Sequence, residues 1–352
     1  MAGAGDVAFK LYGDAICAHL QQMAPFAKEY VVDSVYFGGG TPSLLQAGIM
    51  QKIVSALRMG YRLDDSCEMT LEMNPGTADE NAMKAYINCG FNRLSIGCQS
   101  ADDGELKMLG RIHSFADFCQ TIELAKKVGF DNISADLMLG LPGQNWETLS
   151  HSIDEITKLG PTHISVYALK IEQGTWFYQH RSELVLPEEE TERELYLNTV
   201  RKLDGLGYRQ YEISNFAKCG FASAHNLKYW QCMPYLGFGP SAYSCFEGKR
   251  YGYGRDLNAY IQAVQNHDDS AIRLDEEMLT PEERVEEKLM LGLRLSKGIC
   301  LEEFPFDDGV IPYLQMLSEN KLVTESCGRF ALTPEGMLVD NYITSELLLH
   351  LK

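Results

Sequence analysis

The chain has 352 residues, 45% of them hydrophobic, with 31 basic and 49 acidic side chains and a net charge of −18. That length suffices for a large barrel or two domains. The charge repels phosphate backbones and anionic lipid, which argues against a nucleic-acid partner and against charge-driven membrane docking. No apolar run reaches the ~18 residues of a membrane span, and MAGAGDVAFK lacks the basic start and apolar core of a signal peptide.

DVAFKLYGDAICAHL (6–20) reads as a helix. VDSVYFGG (33–40) is the first strand, followed by a helical stretch through LLQAGIMQKIVSALRMG that closes at Gly60. CEMTLEMN (67–74) is the next strand, broken by Pro75-Gly76. The helix after it ends at Gly90, a residue suited to the left-handed position beyond a helix. FNRLSIGCQS (91–100) is the third strand, and Ser114-x-x-Asp117 resembles a capping box, with Asp in place of the usual Glu, before FCQTIELAKKVG. DNISADLMLGLPGQ (131–144) is a fourth strand and loop, NWETLSHSIDEITKLG a helix, and HISVYALKI (163–171) a fifth strand. The acidic stretch 186–196 leads into a helix, and LGYRQYEISNFA (206–217) is one more strand-like piece. Residues 228–254 carry too much Gly for regular helix and too many aromatics for disorder. A second domain opens near Leu279-Thr280-Pro281, with an amphipathic helix, then helix, hairpin and helix. The expected division is 1–180, 181–278 and 279–352.

This βα repetition predicts an α/β fold with a parallel sheet. Strands buried on both faces of an open sheet read as continuous apolar runs. Here they alternate. Thr70, Glu72 and Asn74 share one face of the second strand; Arg93, Ser95, Gly97 and Gln99 share one face of the third. Ser134 and Asp136 do so on the fourth, and His163, Ser165 and Tyr167 on the fifth. One polar side per strand predicts a closed or partial barrel with a wet interior, its site at the strands' C-terminal ends. The C-terminal segment reads as a small winged-helix-like α+β domain packed on the barrel.

GGGTP (38–42) lacks the GK[ST] ending of a phosphate-binding loop and is not GxGxxG. What remains is close approach of bare backbone at Gly39 and Gly40 to a small ligand, with Thr41 and Pro42 turning the chain. Glu72 could bind a ligand ammonium or ribose hydroxyls; the plain alternative is a solvent-facing carboxylate. Gln99, Arg111 and Asp136 lie at or beyond neighbouring strand ends and could complete a polar ring, although Arg111 reads equally as a surface cation. His225, with Tyr229 and Trp230 four and five residues on, could ligate or flank a flat aromatic ligand, as axial histidines do for haem iron. The alternative is a histidine satisfied inside an aromatic cluster. The ten cysteines (Cys17, Cys67, Cys89, Cys98, Cys119, Cys219, Cys232, Cys245, Cys300, Cys327) are scattered with no CxxC pair, the pattern of reduced thiols in a cytoplasmic protein.

The order YFGGGTPSLL, EMNPGT, NRLSIGCQS, LGRIHS, DLMLGLPGQ, HISVYAL, YEISNFA, HNLKYW, YLGFGPSAYS and LTPEGM resembles the HemW-type haem chaperone family, a branch of the radical SAM oxygen-independent coproporphyrinogen III oxidase-like proteins. The resemblance runs from about residue 8 to the end. It implies a partial (β/α)6 barrel, S-adenosyl-L-methionine, a [4Fe-4S] cluster in the full-length family, haem, and apo-haemoproteins as acceptors. It places Gly39, Gly40 and Thr41 at the methionine end of S-adenosylmethionine, with Glu72 also on that cofactor. Gln99, Arg111 and Asp136 take nucleoside- or substrate-side positions. It associates His225 to Trp230 with haem and makes His225 the metal ligand. The family begins with a strand and a CxxxCxxC loop whose thiolates hold the cluster. Neither occurs here, so the expectation is a barrel without its first strand, a truncated chain, and no catalysis by these residues alone. Truncation is preferred to loss because Gly39, Gly40, Thr41 and Glu72 persist. Cys98, Ala101 and Tyr243 also depart from the family's residues, Tyr243 standing where histidine is usual. The alternatives are coproporphyrinogen III oxidation in porphyrin biosynthesis, which needs the cluster, and a cluster-less S-adenosylmethionine-binding module.

Overall fold

The computed structural model describes residues 4–326 and 328–352, with side chains from Val7 onward; Cys327 falls outside the described residues. In chain order the strands are β1 (Val32–Phe37), β2 (Leu63–Met73), β3 (Arg93–Gln99), β4 (Asn132–Leu139), β5 (His163–Ala168), β6 (Arg209–Glu212), β7 (Asn215–Ala217), β8 (Tyr243–Phe246), β9 (Lys249–Tyr253), β10 (Arg273–Met278), β11 (Ile299–Cys300), β12 (Val323–Ser326) and β13 (Arg329–Leu332). The chain divides into two compact units, each discontinuous in sequence. One comprises residues 1–71, 79–92 and 223–287; the other comprises 72–78, 93–222 and 288–352.

In the first unit β1 runs parallel to β2, with Ser34 beside Glu68 and Tyr36 beside Thr70. Helix Ala4–Met23 packs against helices Ala47–Gly60 and Leu257–Gln265. Ile16, Leu20, Ile53, Leu57, Tyr260 and Val264 are buried together there, each large apolar side chain contributing about 1.5–3 kcal/mol on burial. His19 sits inside this core, its Nδ1 2.7 Å from Tyr260 Oη and its Nε2 3.2 Å from Tyr253 Oη. Burial pushes its pKa down to about 4, against the pull of Asp269. The Tyr/Gly-rich segment with no clear periodicity supplies β8 and β9, which join β10 in an antiparallel sheet ordered β10-β9-β8. Tyr243 lies over Gly252, where a Cβ would come within 2.7 Å of its ring.

In the second unit β3, β4 and β5 are parallel and in close register. The capping box predicted at Ser114 is present: Ser114 Oγ accepts from Asp117 N, and the Asp117 carboxylate accepts from Ser114 N. The segment read as one strand at 206–217 is instead a hairpin. β7 pairs antiparallel with β5, and β6 antiparallel with β7. The chain reverses because the Glu212 carboxylate accepts from Ser214 N at 2.9 Å and fixes the tight turn. The expected order of the C-terminal segment, an amphipathic helix and then helix, hairpin and helix, appears as Pro281–Leu293, Val310–Glu319, β12-β13 and Asp340–Leu348; β11, not expected, pairs antiparallel with β13. Gly90, in the first unit, takes the expected left-handed position at φ 101.

The polar faces depart from expectation in one respect. All seven residues of β3 are buried, and Ser134, His163 and Ser165 are buried too. Several of these buried side chains hydrogen-bond to one another, Ser134 Oγ lying 2.8 Å from His163 Nδ1, while Tyr167 on the same side is 44% exposed. Among the described residues, no helix is long and apolar enough to cross a membrane.

Candidate functional site

Gly39 and Gly40 follow β1 on the exposed surface of the first unit. Gly39 has φ +104, which only glycine adopts without strain. Gly40 has no positive φ, and a Cβ added to either glycine would meet nothing within 4 Å. Internal packing therefore does not require Gly40 to be bare, and the backbone there is open to an approaching group. Thr41 ends the loop, and Pro42 starts a one-turn 3-10 helix, Pro42–Leu44.

The helix Ala224–Trp230 carries His225 and is held against β1 and β2. The Glu68 carboxylate accepts from Ser223 Oγ, Ala224 N and His225 N at 3.0–3.1 Å, satisfying donors that a helix start leaves open. Lys228 pairs with Asp33 of β1. The His225 ring stacks on Tyr36, centroids 4.7 Å apart and planes 20° apart. Its Nδ1 lies 3.1 Å from Ser34 Oγ and its Nε2 3.1 Å from Tyr229 Oη. Tyr229 meets the imidazole edge-on because residues four apart share a helix face; Trp230 is turned away from that face by one further residue. The histidine is thus both in an aromatic setting and hydrogen-bonded at both nitrogens.

On the second unit, β4 presents Asp136, which accepts from Ser95 Oγ at 3.2 Å and from Ser134 Oγ at 3.3 Å. Ser134 Oγ is 2.8 Å from His163 Nδ1, and His163 Nε2 is 2.8 Å from Tyr211 Oη. Burial pushes the Asp136 pKa up to about 6; Glu72 raises it further, while Ser165, Arg93 and Ser95 oppose the rise. His163 is driven well below its ordinary value by burial and by Arg93. Burial lowers Arg111, and Asp136 partly restores it. The electrostatics therefore tie Glu72, Arg93, Arg111 and Asp136 to one region. Arg93 is only 2% exposed, yet its Nε finds no hydrogen bond among the described residues. Gln99 closes β3 at φ 71, where the register to β4 shifts, a backbone strain of the kind that collects at binding sites. Gly97 makes room for it: a Cβ there would stand 2.8 Å from Gln99 Nε2 and 3.4 Å from Asn74 Oδ1.

Sequence reasoning missed Ser34, Tyr36 and Glu68 as His225's partners. Only the period-two faces of β1 and β2 hinted at them. The nine described cysteines are free, and Cys98 is deeply buried with its thiol pushed well above the ordinary value by burial. Among the described residues, no three His, Cys, Asp or Glu side chains are grouped to hold a metal ion.

Residues 18–156 match the radical SAM superfamily, and residues 279–339 match the HemN C-terminal domain. The chain is 36% identical over 324 residues to the heme chaperone HemW of Bacillus subtilis (strain 168), covering 90% of this chain and 85% of that protein. It is 38% identical over 321 residues to the mitochondrial radical S-adenosyl methionine domain-containing protein 1 of Bos taurus, covering 88% of this chain and 70% of that one. Among solved structures it is similar to coproporphyrinogen III oxidase HemN from Escherichia coli, a radical SAM enzyme. The TM-score is 0.82 at 20% identity, over 98% of this chain and 84% of that one. At that identity the likeness establishes the fold, an α/β radical-SAM-type half-barrel with a small C-terminal domain.

Proposed function

The chain belongs to the HemW heme-chaperone family of radical SAM proteins, and on that premise we propose that it binds haem at His225 and passes it to apo-haemoproteins. The observation that carries this reading is the imidazole's setting. It is stacked on Tyr36, tied to Ser34 through Nδ1, and mounted on a helix whose start is fixed by Glu68. This pre-orients one ring nitrogen beside an aromatic surface, the arrangement a flat metal-bearing cargo requires. Haemin titration followed by its Soret band tests the reading. A shifted band that disappears in His225→Ala is expected; an unshifted band, or an unchanged one in the variant, refutes it.

S-adenosylmethionine is the proposed resident cofactor. The room beside Gly39 and Gly40, where an added Cβ would meet nothing within 4 Å, supports contact of this loop, through Thr41, with its methionine end. The face carrying Glu72, Gln99, Arg111 and Asp136 supports contact with nucleoside hydroxyls and amines, since Asp136 offers an acceptor oriented by serine hydroxyls. When bound, the cofactor supplies a sulfonium whose C–S bond breaks on one-electron reduction. The described residues do not fit an iron–sulfur cluster, so the proposed role of these side chains is binding and orientation. The scattered free thiols support a cytoplasmic location.

A further inference from the structure

His225 and Tyr229 lie four residues apart on one helix face, and the tyrosine hydroxyl stands 3.1 Å from His225 Nε2. The imidazole has little freedom to turn away. Tyr36 covers one face of the ring, Ser34 holds Nδ1, Glu68 holds the backbone, and Lys228 pairs the helix to Asp33. Tyr229 differs from these partners. It is 40% exposed, and its hydrogen bond to His225 lies at the surface. Its ring also meets Tyr235 edge-on at 4.6 Å, so its hydroxyl leaves Nε2 by a side-chain rotation that breaks that contact.

We propose that the Tyr229 hydroxyl is an internal competitor for His225 Nε2, displaced when the iron of haem takes that nitrogen, and that Ser34 is the positioning residue that keeps the imidazole oriented for the exchange. The inference rests on the haem-binding reading of His225. In the tautomer that carries its proton on Nδ1, that nitrogen donates to Ser34 Oγ, the ring's lone pair is on Nε2, and Tyr229 donates to it. Iron needs the same lone pair, so hydroxyl and metal exclude one another. For a carrier this competition serves release: an internal partner on the same helix face takes the nitrogen as the iron leaves, which lowers the net affinity for the cargo.

The test uses the full chain with haemin as the probe, measuring affinity from the Soret band and release by transfer to apomyoglobin. Tyr229→Phe keeps the ring and removes the hydroxyl. It is expected to bind haemin about two- to tenfold tighter, the worth of one hydrogen bond, and to release it correspondingly more slowly. Unchanged or weaker binding in Tyr229→Phe overturns the competitor role. Ser34→Ala is expected to weaken binding and move the Soret maximum; an unaltered spectrum and affinity overturn the positioning role. A His225→Ala chain that binds haemin like the parent overturns the haem reading and this inference with it. Loss of binding in His225→Ala together with an unchanged Tyr229→Phe overturns this inference alone.

Discussion

Replacing Asp136 by Asn separates the demands of a site from those of the fold. In the folded chain burial holds the carboxyl at a pKa of about 6, against an ordinary 3.8, with Glu72 adding to the rise and Ser165, Arg93 and Ser95 opposing it. The folded state therefore binds the proton more tightly than the unfolded state does. Stability contributed by this group is fully present below pH 3.8, falls as pH rises toward about 6, and is level above that. The difference is worth about 3 kcal/mol at most, at 1.36 kcal/mol per pH unit. Asn keeps an acceptor for the Ser95 and Ser134 hydroxyls but removes the charge near Arg93, a loss of about 1 kcal/mol. Asp136→Asn should thus be about 1–2 kcal/mol more stable than the parent at pH 7.5, with that advantage gone at pH 4. Urea unfolding of both chains at the two pH values is the assay. A variant equally or less stable at pH 7.5, or an advantage independent of pH, refutes the argument that this carboxylate is kept at the fold's expense.

Gly40→Ala should leave the urea midpoint within about 0.5 kcal/mol of the parent, since its Cβ meets nothing within 4 Å. The same variant should weaken S-adenosylmethionine binding in calorimetry; unaltered affinity would remove Gly40 from the proposed contact. Gly336→Ala should cost about 3 kcal/mol, because its Cβ would stand 2.0 Å from the Leu322 carbonyl oxygen; a melting temperature equal to the parent's would contradict that packing. His19 is held neutral, so its contribution is present above pH 6.5 and lost as pH falls toward about 4. His19→Gln should flatten the melting-temperature profile across that window, and an unchanged slope would exclude His19 as its source.

The alternation of polar and apolar residues identified the second to fifth strands and the polar side of each, because a strand's two sides are fixed by the pleat alone. Caps and stops such as Ser114 and Gly90 were legible for a similar reason: they satisfy backbone groups a few residues away. The hairpin within 206–217 was not, since its reversal depends on the Glu212 carboxylate folding back on Ser214 rather than on any Gly or Pro signal. Nor was the pairing of the polar side chains. Period two says which side a residue takes, but not whether Ser134, His163 and Tyr211 will find one another across three strands. The spacing of His225, Tyr229 and Trp230 singled out the HNLKYW stretch, and motif order associated it with haem. Only the folded chain brought Ser34, Tyr36 and Glu68 to His225, from positions 157 to 191 residues away for the two that hydrogen-bond it. Contacts closed over such lengths leave no local periodicity, and they depend on which strands and helices pack together in three dimensions.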